Sequence, residues 1–559
     1  MESGDAAHEA AVAAIAARVR EFYERRAPFQ VYHGGTHSTR GQHKTRGDTV
    51  DTSGLRRVLG IDGPRQVALV EPNVTMGALV AAAAERDLVP VVVPGFPGIT
   101  VGGAFSGTSL ESSSCRHGPF DAAVARVELV LADGSVRAAD QDHASPDLFW
   151  AAASAFGTLA VVTLLEVRLR PARPFVRLAH TPAASFADAN RLLRDAVLEP
   201  AIDFVDAIAF APDSIVVCTG IIVDALPRDA SQDGFGGDGA AAAPGKKKEK
   251  NNKVQPRRYL GRWDPWFYLD VRERVARPGR AVVDFVPLVD YLFRWERGAF
   301  WIGRHVFSYF WAPFNRLTRA ALDSCLRPRL MYPALHASRL ADAYVIQDAA
   351  VPWYVGGTEA DADGADEELF RWAGAELGIY PMWLCPIRVY RNGPDAAHGL
   401  HAAFADPSRA MFRLNIGIRG PPRPRPSPES PSSSSSSSSA VRNVAQADRA
   451  LERKLLTLRG QKLLYARVHY SEAEFWSVYD RPTYDADRVR YHADHLPSVY
   501  DKVRTRDGDA GEAKDEKTSW MPRALRKARP FQGLYGVYKA WRGSDYVLKP
   551  EKPASPKRF

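Results

Sequence analysis

The strongest constraint on the fold of this chain is a glycine-rich stretch that interrupts a β-branched run. Residues 90–118 read PVVVPGFPGITVGGAFSGTSLESSSCRHG. Glycine permits positive φ and lets main chain approach a ligand closely. The small hydroxyl side chains that follow, together with backbone N–H groups, can bond an anionic or polyoxygenated ligand. Taken alone, the stretch is equally compatible with a ligand loop and with a tight turn between two strands.

The size and composition of the chain predict a folded protein of more than one domain. Its 559 residues exceed a single hydrophobic core, and 45% hydrophobic with 25% charged residues is typical of globular chains. The net charge of +9 lies partly in basic segments between the apolar regions, so a nucleic-acid-binding surface is not required to explain it. The positive charge nevertheless favours acidic partners or an anionic membrane surface. Four cysteines without a CxxC pair disfavour a metal site and a disulfide framework, and predict a reducing compartment.

The beginning of the chain predicts an amphipathic helix within residues 1–28. Ala11, Ile15, Val19 and Phe22 recur at helical spacing, so we expect the helix to pack on its own domain, with a membrane-surface position as the less favoured alternative. The acidic start lacks the plan of a signal peptide, and no apolar run reaches the roughly 18 residues of a transmembrane helix. A cytoplasmic or membrane-peripheral protein is therefore expected.

Residues 29–173 and 174–502 are predicted to form two α+β domains. The first alternates short strands with few helices, and Val127–Leu131 runs into Ala-Asp-Gly-Ser, which is a hairpin signal. The second contains two segments without an apolar period, residues 228–257 and 421–440, which we interpret as disordered insertions.

The last segment, residues 503–559, is predicted to be a charged and mostly unstructured tail. Its aromatic island, Tyr535 to Trp541, is suited to docking or to binding a partner. The preceding sequence, 441–502, predicts a return to helix, strand and helix.

Three stretches considered together predict a dinucleotide site. They are HGGTHSTRGQ at 33–42, the glycine-rich stretch at 90–118, and DLFWAA leading to GTLAVVT at 147–163. A dinucleotide diphosphate requires clustered N–H donors with no Cβ in the way. In their order and spacing the stretches resemble the FAD-binding domain of the vanillyl-alcohol-oxidase type, also called PCMH-type. No phosphate loop, zinc helix, nucleophile elbow or Rossmann unit is present.

This resemblance assigns the flavin contacts to specific residues. In such domains the first loop cradles the pyrophosphate, the second lines the flavin, and the third supplies backbone contacts near the ring system. The residues expected to bind the cofactor are Gly34, Gly35, Thr36, His37, Ser38, Thr39, Thr100, Val101, Gly102, Gly103, Ser106, Gly107, Ser112, Ser113, Ser114, Gly157, Thr158 and Val161. In several related oxidases a histidine near the place of His37 is bonded covalently to the flavin; a hydrogen bond to phosphate or main chain is the favoured alternative.

A narrower resemblance extends beyond the flavin domain. TVGGAFSGTSLESSSCRHGPFD, DFVDAIAFAPDSIVVCTG, FWIGRHVF, IYPMWLCPIRVY and KLLYARVHYSEAEFWSVYD are similar to the Delta(24)-sterol reductase (DIMINUTO/seladin) group. The resemblance implies a PCMH-type FAD domain with an α+β substrate-cap domain, and a reductase that saturates a C=C bond in the side chain of a sterol. Hydride would come from NADPH through flavin N5. It also implies a lipid or sterol as the small-molecule partner. No nucleic acid is expected as a partner, and the expected location is cytoplasmic or peripheral at the endoplasmic reticulum membrane.

The catalytic acid is predicted among polar residues of the second domain. Protonation of an isolated alkene demands a positioned proton donor, and we select Tyr380, Arg388 and Tyr465 as candidates. The arginine is included because its charge can lower the pKa of a tyrosine. Glu296 and Asp348 are further candidates. For the two tyrosines a place in the core is the alternative, because they lie in alternating strand patterns.

Two other functions stay open at this point. One is an oxidase that dehydrogenates an alcohol-type substrate and reoxidises its flavin with O2. The other is an inactive binding scaffold that retains the fold and acts through its aromatic tail and linkers.

Overall fold

The computed structural model describes residues 2–34, 46–227, 254–275, 281–355, 364–389, 396–402, 411–423, 437–505 and 529–542. Within these ranges the chain forms two sheet-containing domains that share one hydrophobic core. The two domains join where β8 and β9, defined below, follow each other along the chain.

The N-terminal domain begins with a helix and a small parallel sheet. Helix α1 spans Glu2–Glu24, and the sheet pairs β1 (Gln30–Tyr32) with β2 (Thr49–Asp51). Ile15, Val19 and Phe22 of α1 are at most 6% exposed and belong to the core of this domain. The helix therefore packs on its own domain, as the apolar spacing predicts.

A larger antiparallel sheet completes this domain. Its strand order is β3-β4-β8-β6-β7, and β5 pairs with β8. The strands are β3 (Val58–Asp62), β4 (Val67–Val70), β5 (Leu88–Pro90), β6 (Val124–Leu131), β7 (Val136–Asp140) and β8 (Ala160–Pro171). Four helices lie between them: α2 (Met76–Ala84), α3 (Val101–Ser106), α4 (Ser114–His117) and α5 (Pro146–Ala152). The predicted hairpin is β6–β7.

The second domain is built on an eight-stranded antiparallel sheet of order β12-β9-β11-β10-β14-β15-β13-β16. Its strands are β9 (Phe175–Ala183), β10 (Phe204–Ala211), β11 (Ser214–Val223), β12 (Val282–Pro287), β13 (Val345–Trp353), β14 (Met382–Arg388), β15 (Phe412–Gly420) and β16 (Gln461–Lys462). Its helices are α6 (Phe186–Leu198), α7 (Phe267–Val275), α8 (Leu288–Leu292), α9 (Ile302–Tyr309), α10 (Arg316–Ala321), α11 (Pro328–Ala337), α12 (Ala365–Trp372), α13 (Ser437–Thr457), α14 (Glu472–Val478), α15 (Arg481–Arg490) and α16 (Val499–Val503).

The two faces of this sheet have different neighbours. One face packs against α6, α12 and α13 through a second core that includes Ala207, Leu384 and Ile416. The other face joins the core of the N-terminal domain through Ile208 and Trp383. Side chains alternate across a strand, so β9, β10, β11 and β14 each contribute to both cores.

The predicted insertions and tail are only partly within the described residues. Residues 228–253 and 424–436 lie outside them, and α13 begins at Ser437, inside the predicted second insertion. In the tail, residues 529–542 contain helix α17 (Phe531–Trp541), which packs against α11, so this segment of the tail docks on the protein as a helix. Among the helices described, none is long and apolar enough to cross a membrane.

Candidate active site

The face of the second sheet that meets the N-terminal domain carries a group of buried polar side chains. Strand register aligns Ile208, Trp383, Gly417 and Asp348 in one row across four strands. The flanking positions on the same face include Asp206, Cys385, Asn415 and Arg419. A polar face on a buried sheet is unusual, because buried charges are retained only when paired or functional. This face is therefore the candidate active site.

Asp348 is the centre of the first polar cluster on this face. Its carboxylate accepts hydrogen bonds from Arg419 Nη2 at 2.7 Å, from Asn415 Nδ2 at 2.8 Å and from the Tyr465 hydroxyl. Gly417 lies directly opposite Asp348, and a Cβ there would be 2.2 Å from Arg419 Nη1 and 2.7 Å from Asp348 Oδ1. The strand therefore requires glycine at 417 to leave room for the ion pair.

A second cluster joins the two domains. Arg294 Nη2 donates to Glu111 Oε1 and to Asp206 Oδ2, both at 2.8 Å, and Trp383 Nε1 donates to the same Asp206 oxygen at 3.0 Å. Arg294, Glu111 and Asp206 are at most 2% exposed. Two carboxyl groups thus share one buried guanidinium, and burial raises the pKa of Glu111 above its usual range. The cluster can therefore hold a proton on Glu111.

Aromatic rings pack in the space between the two clusters. Phe300 stacks on Trp295 with ring centroids 4.1 Å apart, and the Arg419 guanidinium carbon lies 4.1 Å from the Phe300 centroid. Phe96, from the glycine-rich stretch of the N-terminal domain, meets Phe300 edge to face at 5.9 Å. A Cβ at Gly95 would lie 2.8 Å from Trp295, so this glycine lets the loop reach the wall. The site combines an apolar lining with a few fixed charges, which is the usual construction of a small-molecule site.

Several buried polar atoms in this space have no hydrogen-bond partner among the described residues. They are Asp206 Oδ1, Arg294 Nε, Trp295 Nε1, Asn415 Oδ1 and Arg419 Nη1. Buried polar groups are nearly always paired with protein or with a bound molecule, so an unpaired set at one place indicates a site for ligand or ordered water.

The first amide N–H groups of α3, in the glycine-rich stretch, donate their hydrogen bonds to acceptors within the protein. The Val101 and Gly102 N–H groups donate to the Val74 and Pro72 carbonyl oxygens at 2.9 and 2.8 Å, and Gly103 N–H donates to its N-cap, Thr100 Oγ1, at 3.2 Å. A Cβ at Gly102 would meet Pro72 at 2.6 Å. The glycines at 102 and 103 therefore serve the packing of α3, and these amides are not available to a phosphate.

The second and third stretches come together as predicted. The carbonyl oxygens of Phe105 and Ser106 accept hydrogen bonds from the Ser154 and Phe156 N–H groups, both at 3.1 Å. The third stretch has left-handed backbone at Ser154 (φ 60°), Phe156 (φ 54°) and Gly157 (φ 67°). Non-glycine residues in this region carry strain that is found mainly where function over-determines the backbone.

The remaining predicted cofactor residues have mixed environments. Thr158 is buried, with its Oγ1 2.9 Å from the Tyr484 hydroxyl, and the Gly157 Cβ position is 3.7 Å from Lys502 Nζ. Val161 is buried within β8. The predicted positions Gly35, Thr36, His37, Ser38 and Thr39 lie outside the described residues, whereas Gly34 is exposed at the end of β1.

The predicted hydroxyl residues 112–114 lie beside the second polar cluster. Ser112 Oγ is 3.2 Å from the Tyr291 hydroxyl and 3.3 Å from Arg294 Nη2. Ser114 Oγ accepts a hydrogen bond from Glu111 N–H at 3.0 Å, whereas Ser113 is the N-cap residue of α4 and makes no capping bond through its hydroxyl. The chain therefore turns at these serines to bring Glu111 to Arg294.

The structure does not bring the three predicted catalytic residues together. Tyr380 precedes β14 and Arg388 ends it, and the seven residues of strand from Met382 to Arg388 span about 20 Å. Tyr465 contacts Asp348. Burial, with Asp348 beside it, raises the pKa of Tyr465 well above its usual value, so the predicted lowering by an arginine is not found there.

Sequence analysis missed most of the polar residues that meet at this face. Glu111, Asp206, Arg294 and the β15 pair Asn415 and Arg419 come from four separate places in the chain, and only the tertiary structure brings them together. The alternation of polar and apolar residues in FRLNIGIRG, which forms β15, is a signal for one polar and one apolar face.

Comparison with known proteins provides the deciding observation. Residues 8–140 match the family described as FAD binding domain. The chain is 28% identical over 485 residues to Delta(24)-sterol reductase of Pisum sativum, covering 81% of this chain and 76% of that protein. It is 26% identical over 463 residues to Delta(24)-sterol reductase of Homo sapiens, covering 80% and 76%. The chain is an FAD-dependent oxidoreductase that is similar to Delta(24)-sterol reductases.

A further relative matches a shorter part of the chain. Cytokinin dehydrogenase 2 of Oryza sativa subsp. japonica is 32% identical over 192 residues, which cover 32% of this chain and 34% of that protein. The predictions of an FAD cofactor, a PCMH-type domain and an enzyme are therefore confirmed for this chain.

The protein's own residues fit a bound flavin. The strained loop at 154–157 meets the end of α3, and unpaired buried donors and acceptors lie beyond it at the domain junction. The residues of this region that would hold FAD are Ser106, Ser112, Gly157 and Thr158.

Proposed function

We propose that this FAD-dependent oxidoreductase reduces a carbon–carbon double bond in the side chain of a sterol, with NADPH as the electron donor. Similarity to Delta(24)-sterol reductases along four fifths of the chain supports the substrate class. The observation that carries the proposal is the group of buried aromatic rings beside the two polar clusters, because an apolar polycyclic molecule binds among such side chains.

Bound FAD supplies the hydride chemistry, and the protein supplies the proton. An isolated alkene is poorly polarised, so the carbon that does not receive hydride requires a positioned donor. Tyr465 is this donor in the proposal. Its phenol is protonated at neutral pH, but burial raises its pKa and makes it a weaker acid, so proton donation depends on stabilisation of the phenolate by a neighbouring cation.

The neighbours of Tyr465 support this role. Asp348 accepts the hydrogen bond from the phenol and fixes its position, and Arg419 binds the same carboxylate at 2.7 Å. When Tyr465 Oη gives up its proton, the guanidinium of Arg419 is close enough to stabilise the phenolate that forms. Asn415 holds the other Asp348 oxygen, so the carboxylate does not need to move.

The decisive experiment separates the two half-reactions in anaerobic rapid mixing. NADPH should bleach the bound flavin, and a sterol with an unsaturated side chain should restore its colour and yield the saturated sterol by mass spectrometry. If NADPH leaves the flavin oxidised and an alcohol reduces it, the protein is an oxidase and the proposal fails.

Tyr465→Phe tests the proton donor with a matched control. In this variant NADPH should bleach the flavin at the rate seen in the unmodified enzyme. Reduction of the sterol by the reduced flavin should be about 10²–10⁴ times slower, because only that step requires the proton. Tyr380→Phe, at the start of β14, should change neither rate. Normal sterol reduction by Tyr465→Phe would exclude Tyr465 as the donor.

A further inference from the structure

Helix α17 carries its large apolar side chains on the outside. Phe531, Leu534, Tyr538 and Trp541 recur at i, i+3, i+7 and i+10, and they are 41%, 52%, 37% and 78% exposed. We name these four side chains the α17 stripe. A surface helix normally buries such a stripe against its own protein. Within the described part of the chain, the α17 stripe instead faces outward.

Glycines hold the opposite side of α17 against the protein. A Cβ at Gly533 would lie 2.5 Å from the Phe310 ring, and a Cβ at Gly536 would lie 2.3 Å from the Ala334 carbonyl oxygen. Gln532 Nε2 also donates to the Ser338 carbonyl oxygen at 2.7 Å. The helix therefore lies close to α11 through its small residues, and turning the α17 stripe inward would place large side chains where only glycine fits.

The charge around the α17 stripe has one sign. Residues 520–542 contain six Lys and Arg and no Asp or Glu. Arg529 begins the described segment, and its guanidinium carbon lies 4.5 Å from the ring of Trp311, which is 66% exposed. Lys539 and Arg542 lie at the other end of the helix. The apolar stripe is thus bordered by cations at both ends.

We propose that the α17 stripe and Trp311 dock this protein on the surface of an anionic lipid bilayer. Trp and Tyr prefer the boundary between hydrocarbon and head groups, where the ring is apolar and its polar end stays hydrated. A helix with an aromatic and aliphatic face lies in that boundary, and basic residues beside it bind anionic head groups. A protein partner would not require cations at both ends of the stripe, so the charge pattern favours the bilayer.

Vesicle co-sedimentation of the full flavin-loaded protein tests this docking. We expect binding to phosphatidylcholine vesicles that contain phosphatidylserine, weaker binding without phosphatidylserine, and release by salt. Combining Phe531→Ser, Leu534→Ser and Trp541→Ser should weaken binding at least about tenfold, since three apolar side chains no longer leave water. Arg542→Gln alone should weaken it about fivefold, the equivalent of roughly 1 kcal/mol for one basic residue.

Leu198→Ser is the matched control. Leu198 is 57% exposed on α6, outside this surface, so its replacement should leave vesicle binding unchanged. An unaltered flavin spectrum in each variant shows that the fold is retained. The proposal is overturned if the protein does not bind phosphatidylserine vesicles or if the triple variant binds them as well as the unmodified protein. It is also overturned if the α17 stripe is buried between subunits of an oligomer and that oligomer binds vesicles with unchanged affinity.

Discussion

The carboxyl group of Glu296 provides a quantitative test of the electrostatics at the domain junction. Glu296 follows the stacked Trp295 in the chain and is only 6% exposed. Its Oε2 atom has no hydrogen-bond partner among the described residues. Burial raises the pKa of Glu296 to about 7, with Arg327 opposing that rise and Asp323 adding to it.

The direction of the pH effect follows from this raised pKa. The folded protein holds the Glu296 proton more tightly than the unfolded state, whose carboxyl has a pKa of about 4.5. The stability that the folded protein gains by binding the Glu296 proton is therefore complete below about pH 4.5, and it is lost as pH rises through about 7. A difference of about 2.5 pKa units corresponds to roughly 3 kcal/mol.

Glu296→Gln should abolish this loss. The amide has nearly the same shape and no charge, so at pH 8 the variant should be more stable than the unmodified enzyme by up to about 3 kcal/mol. An unfolding entropy of about 2.1 cal/mol/K per residue converts this into a Tm increase of about 3 °C for the whole protein. At pH 5, where only about 0.8 kcal/mol of this stability is lost, the two proteins should melt within about 1 °C of each other.

Differential scanning calorimetry of the flavin-loaded proteins at pH 5 and pH 8 measures the effect. Glu273→Gln, at an exposed position of α7, is the control and should give no pH-dependent difference. The same Tm difference at both pH values would refute the reasoning, because it would show that ionisation of the Glu296 carboxyl group does not destabilise the folded protein.

Three further predictions concern the site and its supports. Gly417→Ala should slow sterol reduction by at least about tenfold while flavin reduction by NADPH persists, because the new methyl group displaces the ion pair of Asp348 with Arg419. Normal turnover would show that the methyl group does not disturb this ion pair. Arg294→Met should destabilise the protein by about 3–5 kcal/mol in urea unfolding, because it leaves two buried carboxyl groups without a cation. An unchanged unfolding midpoint would show that the guanidinium is dispensable. Thr158→Val should cost about 1–2 kcal/mol through loss of the hydrogen bond with the Tyr484 hydroxyl. The double variant with Tyr484→Phe should then lose less than the sum of the two single variants, and strict additivity would contradict a direct contact.

Much of the N-terminal domain was predictable from local sequence signals. The spacing of Ile15, Val19 and Phe22 determines the inner face of α1, since a helix repeats every 3.6 residues. The Asp-Gly turn after β6 similarly specifies a hairpin. The order of the three glycine-rich stretches predicted the FAD cofactor, which the domain match confirms.

Local signals predicted the roles of individual residues less well. The stretch at 90–118 contains glycines for two different reasons: Gly102 accommodates Pro72, whereas Gly95 lets the loop approach Trp295 across the domain junction. Neither contact has a local signature, because each partner comes from another part of the sequence.

By itself the sequence determined the cofactor class and the positions of local elements such as α1 and the β6–β7 hairpin. These depend on periodicity and on glycine and hydroxyl patterns, which act over a few neighbouring residues. The tertiary structure decided which polar groups face each other. Arg294 joins carboxyl groups from two other elements, and Asp348 faces Arg419 only because β13 and β15 pair in one register, which a shift of one residue would reverse.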